Sequence, residues 1–153
     1  MWLVVKGKIQ CRANLFRKHA VDSPGCTICG SPEETTEHLL FQCTKAAEFW
    51  EVLGVPVPQN GFAAYDIHSS IKVSAVPQQQ HNMFIALCCW QLGKRRNGAV
   101  FQDEMTSLRQ LLIACSTEAK LWKARLPRRQ KSITDIWCAH FQEAIQRTMY
   151  TPM

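Results

Sequence analysis

Between positions 26 and 43 the chain sets two cysteines, a histidine and a third cysteine in the spacing C-x2-C-x8-H-x4-C: Cys26, Cys29, His38 and Cys43. This stretch restricts the fold most, because four such donors converge only where the backbone turns tightly. A Cys-x2-Cys pair followed by Gly30 suits a metal knuckle, in which amides face the thiolate sulfurs and glycine takes the sharp turn. Three thiolates and an imidazole favour Zn2+ and leave no coordination position for water or substrate. One structural zinc ion is therefore expected, not a catalytic one. Zinc held in this way is worth about 10–16 kcal/mol in isolated finger peptides, against about 5–15 kcal/mol for the net stability of a whole domain. Metal binding should decide whether this part of the chain folds.

The spacing also makes a geometric demand. Cys43 follows His38 by five residues, about 140° around a continuous α-helix, so the helix must end near residues 41–42 for both to reach one ion. Ser31-Pro32-Glu33-Glu34 predicts where that helix starts, with Ser31 as cap, Pro32 at the first helical position and Glu34 completing a capping box. A further helix is predicted over residues 44–53, with Ala46, Ala47, Trp50 and Leu53 facing inward and Gly54, Pro56 and Pro58 stopping it.

Upstream, residues 2–18 read as partly helical, and Asp22-Ser23-Pro24-Gly25 reads as a turn. Residues 55–80 hold three prolines and the run Gln78-Gln79-Gln80, and read as a linker or irregular segment with a short strand near residues 71–73. Three helical patterns follow, over residues 82–94, 103–125 and 132–147. Their apolar faces carry Phe84, Leu87, Cys88 and Leu92, then Leu108, Leu111, Leu112, Cys115, Ala119, Trp122 and Leu126, then Ile133, Ile136, Trp137, His140, Phe141, Ala144 and Ile145. The fold class is all-α: a zinc-stabilised helical module over residues 1–54, the linker over 55–80, and a three-helix region over 81–150.

A composition 46% hydrophobic and 20% charged argues against general disorder. The longest apolar run, residues 83–90, is far short of the roughly 20 residues a membrane-spanning helix needs. The first residues lack the order and length of a secretory signal, so a reducing intracellular compartment is expected and the eight cysteines are read as thiols or ligands. The net charge of +6 is unevenly spread. Residues 1–20 carry five Lys/Arg and no acid, residues 21–66 have a net charge of −6, and residues 94–131 a net charge of +7. Two basic segments flanking an acidic one suit a polyanion, although solvated helix faces produce the same pattern. The densest clusters are Lys94, Arg95 and Arg96, and Arg125, Arg128, Arg129 and Lys131. They read as phosphate contacts aided by Trp90 or Trp122, or as the cations that favour helix C-termini, and as a nuclear-targeting signal. The nucleus is expected over the cytoplasm.

Trp2, Lys6-Gly7-Lys8-Ile9, Arg12, Asn14, Leu15, Cys26-Thr27-Ile28-Cys29-Gly30, Glu34-Thr35, Glu37-His38-Leu39-Leu40, Cys43, Ala47 and Trp50 form a pattern over about a third of the chain. The pattern resembles the reverse transcriptase zinc-binding domain that follows the polymerase in plant LINE-type (non-LTR) retrotransposons. Trp90, Lys94, Arg96-Asn97 and Phe101 resemble the block that often follows that region. Cys11 stands where the family usually has threonine, and Gly93 where it usually has a second tryptophan. The stretch that normally precedes Trp2 is missing, so an N-terminally truncated member is expected. The resemblance implies a zinc-stabilised accessory module associated with the RNA or DNA of the element.

The remaining cysteines and histidines read as ordinary. Cys88, Cys89, Cys115 and Cys138 read as core thiols, and Cys11 as partly exposed. His140 reads as a core residue with its polar atom satisfied, His19 as a weak competitor for the metal, and His68 and His81 as linker residues. No paired aspartates of the polymerase type, phosphate-binding loop or nucleophile elbow is present, so no catalysis is expected. The leading expectation is a non-catalytic zinc module in which Lys6, Lys8, Arg12, Arg17 and Lys18, with Lys94, Arg95 and Arg96, contact RNA or single-stranded DNA. The alternatives are a protein-interaction or scaffold module with a purely structural zinc, whose last three helices dock on a partner such as an upstream polymerase domain, and a retroelement remnant without a selected function. Neither a membrane nor a small-molecule substrate is expected.

Overall fold

The computed structural model describes residues 11–57, 76–77 and 80–150. The helix expected before residue 11, most of the linker with its strand near 71–73, and His68 lie outside the described residues. Among the described residues every regular element is helical, as expected. In chain order these are α1 (Arg12–Arg17), a π-helical turn (His38–Gln42), α2 (Thr44–Val52), α3 (His81–Phe101), α4 (Leu108–Arg125), a 3-10 turn (Arg128–Gln130) and α5 (Lys131–Tyr150).

Helices α4 and α5 form the largest packed pair, with α3 laid against α4. Phe84 of α3 stacks on Phe141 of α5 at 5.3 Å and meets Trp137 edge-on at 5.8 Å, and Trp137 in turn meets Trp122 at 6.0 Å. Leu87, Leu92, Leu111, Leu112, Cys115, Ala119 and Ala144 fill the space between, all buried. The three apolar faces expected from periodicity thus close on one another, although Ile136 is exposed and Thr134 is buried in its stead.

Two boundaries differ from expectation. Helix α3 continues past Lys94 to Phe101, because Arg96 turns inward to a buried acid. Helix α4 starts at Leu108, not near Asp103, which has the left-handed φ of 53°. The N-terminus is set by a capping box: the Ser107 hydroxyl accepts from the Gln110 amide (3.1 Å), and the Gln110 side chain accepts from the Ser107 amide (2.9 Å).

Helix α2 packs against the π-helical turn and touches α4 and α5, so the two halves share a continuous core. Trp50 stacks on Phe41 at 5.4 Å and meets Phe49 at 5.1 Å, while its indole N–H donates to the Leu40 carbonyl (2.7 Å). Gly54 ends α2 with a φ of 72°, and its neighbour Val55 donates to the Trp50 carbonyl (2.9 Å), the αL termination expected there. His140 of α5 holds this end in place. Its Nε2 donates to the Leu53 carbonyl (2.8 Å), which fixes the neutral Nε2–H tautomer, and burial lowers its pKa.

Candidate metal centre

Cys26 and Cys29 sit on an irregular loop whose backbone bonds to itself. The Gly30 N–H donates to the Cys26 carbonyl (3.0 Å), and the Cys26 N–H donates to the Ser31 carbonyl (2.9 Å). Gly30 takes a φ of 80°, a conformation that costs an L side chain even though the space around it is open.

The helix predicted to start at Ser31 does not form there. Residues 31–35 are irregular, and Thr35 is the cap: its hydroxyl accepts from the His38 N–H (3.1 Å) and its carbonyl from the Leu39 N–H (2.9 Å). Glu34 cannot complete a capping box because its carboxylate points into a buried pair with Arg96. Downstream, the demand set by His38 and Cys43 is met by an unexpected device. Instead of ending as an α-helix, the chain widens into a π-helical turn closed by a bond from the Cys43 N–H to the His38 carbonyl (2.7 Å). The backbone then leaves the helical path at Cys43, with a ψ of 137°, before α2 begins at Thr44.

These turns bring Cys26, Cys29, His38 and Cys43 together, with one ligand atom from each and all four within 4.8 Å of one another. The sulfurs of Cys26 and Cys43 are 3.9 Å apart, and the Cys29 sulfur lies 3.3 Å from His38 Nε2. Around a tetrahedral zinc with ordinary bond lengths, two sulfurs stand about 3.8 Å apart and a sulfur and an imidazole nitrogen about 3.5 Å. The donor set and its spacing therefore fit a single zinc ion. Cys26, His38 and Cys43 are buried and Cys29 is partly so, which suits a structural ion shielded from solvent.

The two nearest sulfurs shift in opposite directions. The Cys26 thiol is pushed up to about 12, first by its hydrogen bond with Cys43 and then by burial. Cys43 is drawn down to about 7 by the same bond, with further help from the amides of Lys45 and Ala46 in the first turn of α2, although no full capping hydrogen bond forms. The two sulfurs favour one shared proton, which a divalent cation would displace. Arg95 lies near enough to this region to interact with its charges. Burial lowers its pKa, and the cysteines Cys43, Cys115 and Cys26, together with Glu48, oppose that shift.

The basic residues expected to face nucleic acid have varied placements. Lys6 and Lys8 lie outside the described residues. Arg17 and Lys18 are exposed at the end of α1, where Arg17 bonds to Asn14. Lys94 is exposed, with its Nζ 6.0 Å from the ring centre of Trp90, itself 59% exposed. Three of these readings need correction. Arg12 uses its guanidinium on the carbonyls of Gly25 (2.6 Å) and Ser23 (3.0 Å), and so braces the knuckle. Arg95 is partly buried, with its Nε enclosed. Arg96 is 3% exposed and held by Glu34, out of reach of a phosphate.

Among the cysteines, Cys11 is buried against expectation, and Cys88, Cys89 and Cys115 are core thiols as expected. Burial drives the Cys88 thiol well up and Cys89 to about 12, so neither is a ready nucleophile. His19 stands exposed outside the ligand group. Glu34 was the residue missed: read as a cap, it is fully buried and central. Its partner lies 62 positions away, beyond the range of any local pattern.

No helix among the described residues is long and apolar enough to cross a membrane. In comparisons with known proteins, no curated protein and no solved structure matches the chain. The model of the family described as zinc-binding in reverse transcriptase matches residues 1–50, a span that contains all four converging ligands, so this part of the chain is similar to a reverse transcriptase zinc-binding domain.

Proposed function

We propose that the chain is a non-catalytic, nucleic-acid-associated zinc module of a retroelement reverse transcriptase, of the plant LINE-type (non-LTR) class. The observation that carries this reading is the closed set of Cys26, Cys29, His38 and Cys43 inside the span that matches the family. Four protein ligands leave the ion no open position for a substrate, which supports a supporting role in place of a catalytic one. Exposed Arg17, Lys18 and Lys94, with Arg125 at the end of α4 and Arg128 and Arg129 in the 3-10 turn that follows, offer cations to phosphates. Trp90 beside Lys94 offers a flat ring to an unpaired base. The same cations fit action in the nucleus.

The test is binding of zinc-loaded protein to labelled single-stranded RNA and DNA across a salt series. Affinity is expected to fall with salt, by a slope of about 0.7 for each phosphate neutralised. No binding to either strand at low salt, or binding with no salt slope, would overturn the nucleic-acid role.

A second reading, a scaffold for an upstream polymerase domain, is favoured by the large apolar side chains left on the surface: Trp90, Phe101, Met105, Ile113 and Leu121. On that reading, size-exclusion chromatography shows self-association with little retention of nucleic acid.

A further inference from the structure

The span that matches the zinc-binding family stops at residue 50, yet a buried bond crosses far beyond it. Arg96 of α3 donates from Nε (3.0 Å) and Nη2 (2.8 Å) to one carboxylate oxygen of Glu34, and from Nη1 to Asn97 (2.8 Å). Both charged side chains are almost fully enclosed, 4% exposed for Arg96 and 1% for Glu34. Removing one member of such a pair leaves a buried charge uncompensated, so the pair holds its two elements in fixed relation.

What Glu34 holds in turn is the ligand loop. The same carboxylate oxygen accepts from the Arg12 N–H (2.8 Å). The Glu34 carbonyl accepts from the Ala13 N–H (3.0 Å), and the Glu34 N–H donates to the Pro24 carbonyl (2.7 Å). The Arg12 guanidinium completes the ring by gripping Ser23 and Gly25, just before Cys26. Four residues after Glu34 comes His38, whose turn packs against α3. The loop carrying Cys26 and Cys29 is thus held at its start by the Glu34 N–H and the Arg12 guanidinium, both tied to one residue, Glu34, whose buried carboxylate is compensated by the charge that α3 supplies.

We propose that Arg96 is a positioning residue of the metal site, acting through Glu34, so that the zinc unit is complete only with α3 docked on it. The inference rests on the reading of the four ligands as a zinc site. Its failure is distinguishable, because a parent protein that binds no zinc refutes that reading, whereas a parent that binds zinc and an indifferent Arg96 variant refutes only this one.

The experiment is chelator competition for zinc on the full chain. Arg96→Gln is expected to weaken zinc binding about tenfold, the low end of the range for partners bonded directly to a ligand, because Arg96 acts through Glu34, and to speed alkylation of Cys26 and Cys29 in the zinc-loaded protein. Leu112→Ala opens a cavity at a fully buried position of α4 that makes none of these bonds. It is expected to lower thermal stability while leaving zinc affinity within about threefold of the parent, as is the exposed control Arg109→Gln. Arg96→Lys keeps the charge with fewer donors and is expected to recover part of the loss. Zinc affinity unchanged in Arg96→Gln, or lowered no more than in Leu112→Ala, would overturn the proposal. Should Arg96→Gln not fold, Arg96→Lys gives the same comparison, and hydrogen exchange on the parent gives an independent one. Stripping zinc must then deprotect the α3 amides around Arg96 together with residues 26–43, and α3 amides that ignore the metal would contradict the proposal.

Discussion

The loop from Ser23 to Cys43 and the α4–α5 pair both enclose side chains, but the loop leaves more of its residues exposed and carries a buried ion pair partner and the metal ligands where the helices carry packed rings. Around the loop the enclosed side chains include Glu34, Thr36 and His38, regular structure is almost absent before Thr36, and the backbone is held by single hydrogen bonds between distant residues. In the helical pair the enclosed side chains are mostly apolar, among them Trp137, Phe141, Leu111, Leu112 and Cys115, with Ser116, Thr134 and His140 as polar exceptions, and the backbone bonds run within each helix. The difference is instructive about what can replace a hydrophobic core. A fully buried Leu or Phe contributes about 1.5–3 kcal/mol from its apolar surface, whereas one zinc on four ligands contributes on the scale of an entire domain. The first region can therefore afford polar residues in its interior, provided the ion is bound.

Removing a ligand should separate the two regions most sharply. Cys29→Ser is expected to weaken zinc binding by more than about 100-fold, and to lose amide protection over residues 23–43 while α4 and α5 keep theirs, as read by hydrogen exchange. Simultaneous loss everywhere would show that the regions are one cooperative unit. The converse change is Phe141→Ala, which removes a ring stacked on Phe84 at 5.3 Å. It should cost about 3–5 kcal/mol in urea unfolding and leave zinc affinity unaltered.

Acid distinguishes the regions next. His140 is buried neutral, with its pKa held below the ordinary 6.5 chiefly by burial. The unfolded chain therefore takes up the proton first as pH falls. The contribution of His140 is complete above about pH 6.5 and declines below it, as stability does wherever the unfolded state binds more protons. His140→Phe should flatten that decline in the helical half, while release of zinc by protonated ligands persists. The smallest change is Ser107→Ala, which removes half of the capping box of α4 and should cost about 1 kcal/mol in thermal unfolding, with no effect on the metal.

The same contrast explains what could be read from the sequence. The apolar faces of α3, α4 and α5 were legible because their packing follows from periodicity, and the ligand group was legible because its donor types and spacing are rare together. The π-helical turn was half legible. The five-residue gap from His38 to Cys43 showed that a regular helix must fail, but the choice between stopping it and widening it depends on the bond from the Cys43 amide, which no composition reveals. Glu34 was misread because the local pattern Ser31-Pro32-Glu33-Glu34 satisfies a capping rule that the tertiary pair with Arg96 overrides. The basic residues show the same limit: Arg12, Arg96 and Lys94 look alike in sequence, yet Arg96 is enclosed, Arg12 is half-buried and spends its guanidinium on backbone carbonyls, and Lys94 is exposed.

The convergence of Cys26, Cys29, His38 and Cys43 on one ion is tested most directly by metal analysis of the purified protein before and after treatment with a strong chelator, with helical content followed in parallel. One equivalent of zinc, removed together with the order of residues 23–43, is the expected result. A metal-free protein that keeps that region folded and shows no response to chelator would contradict it.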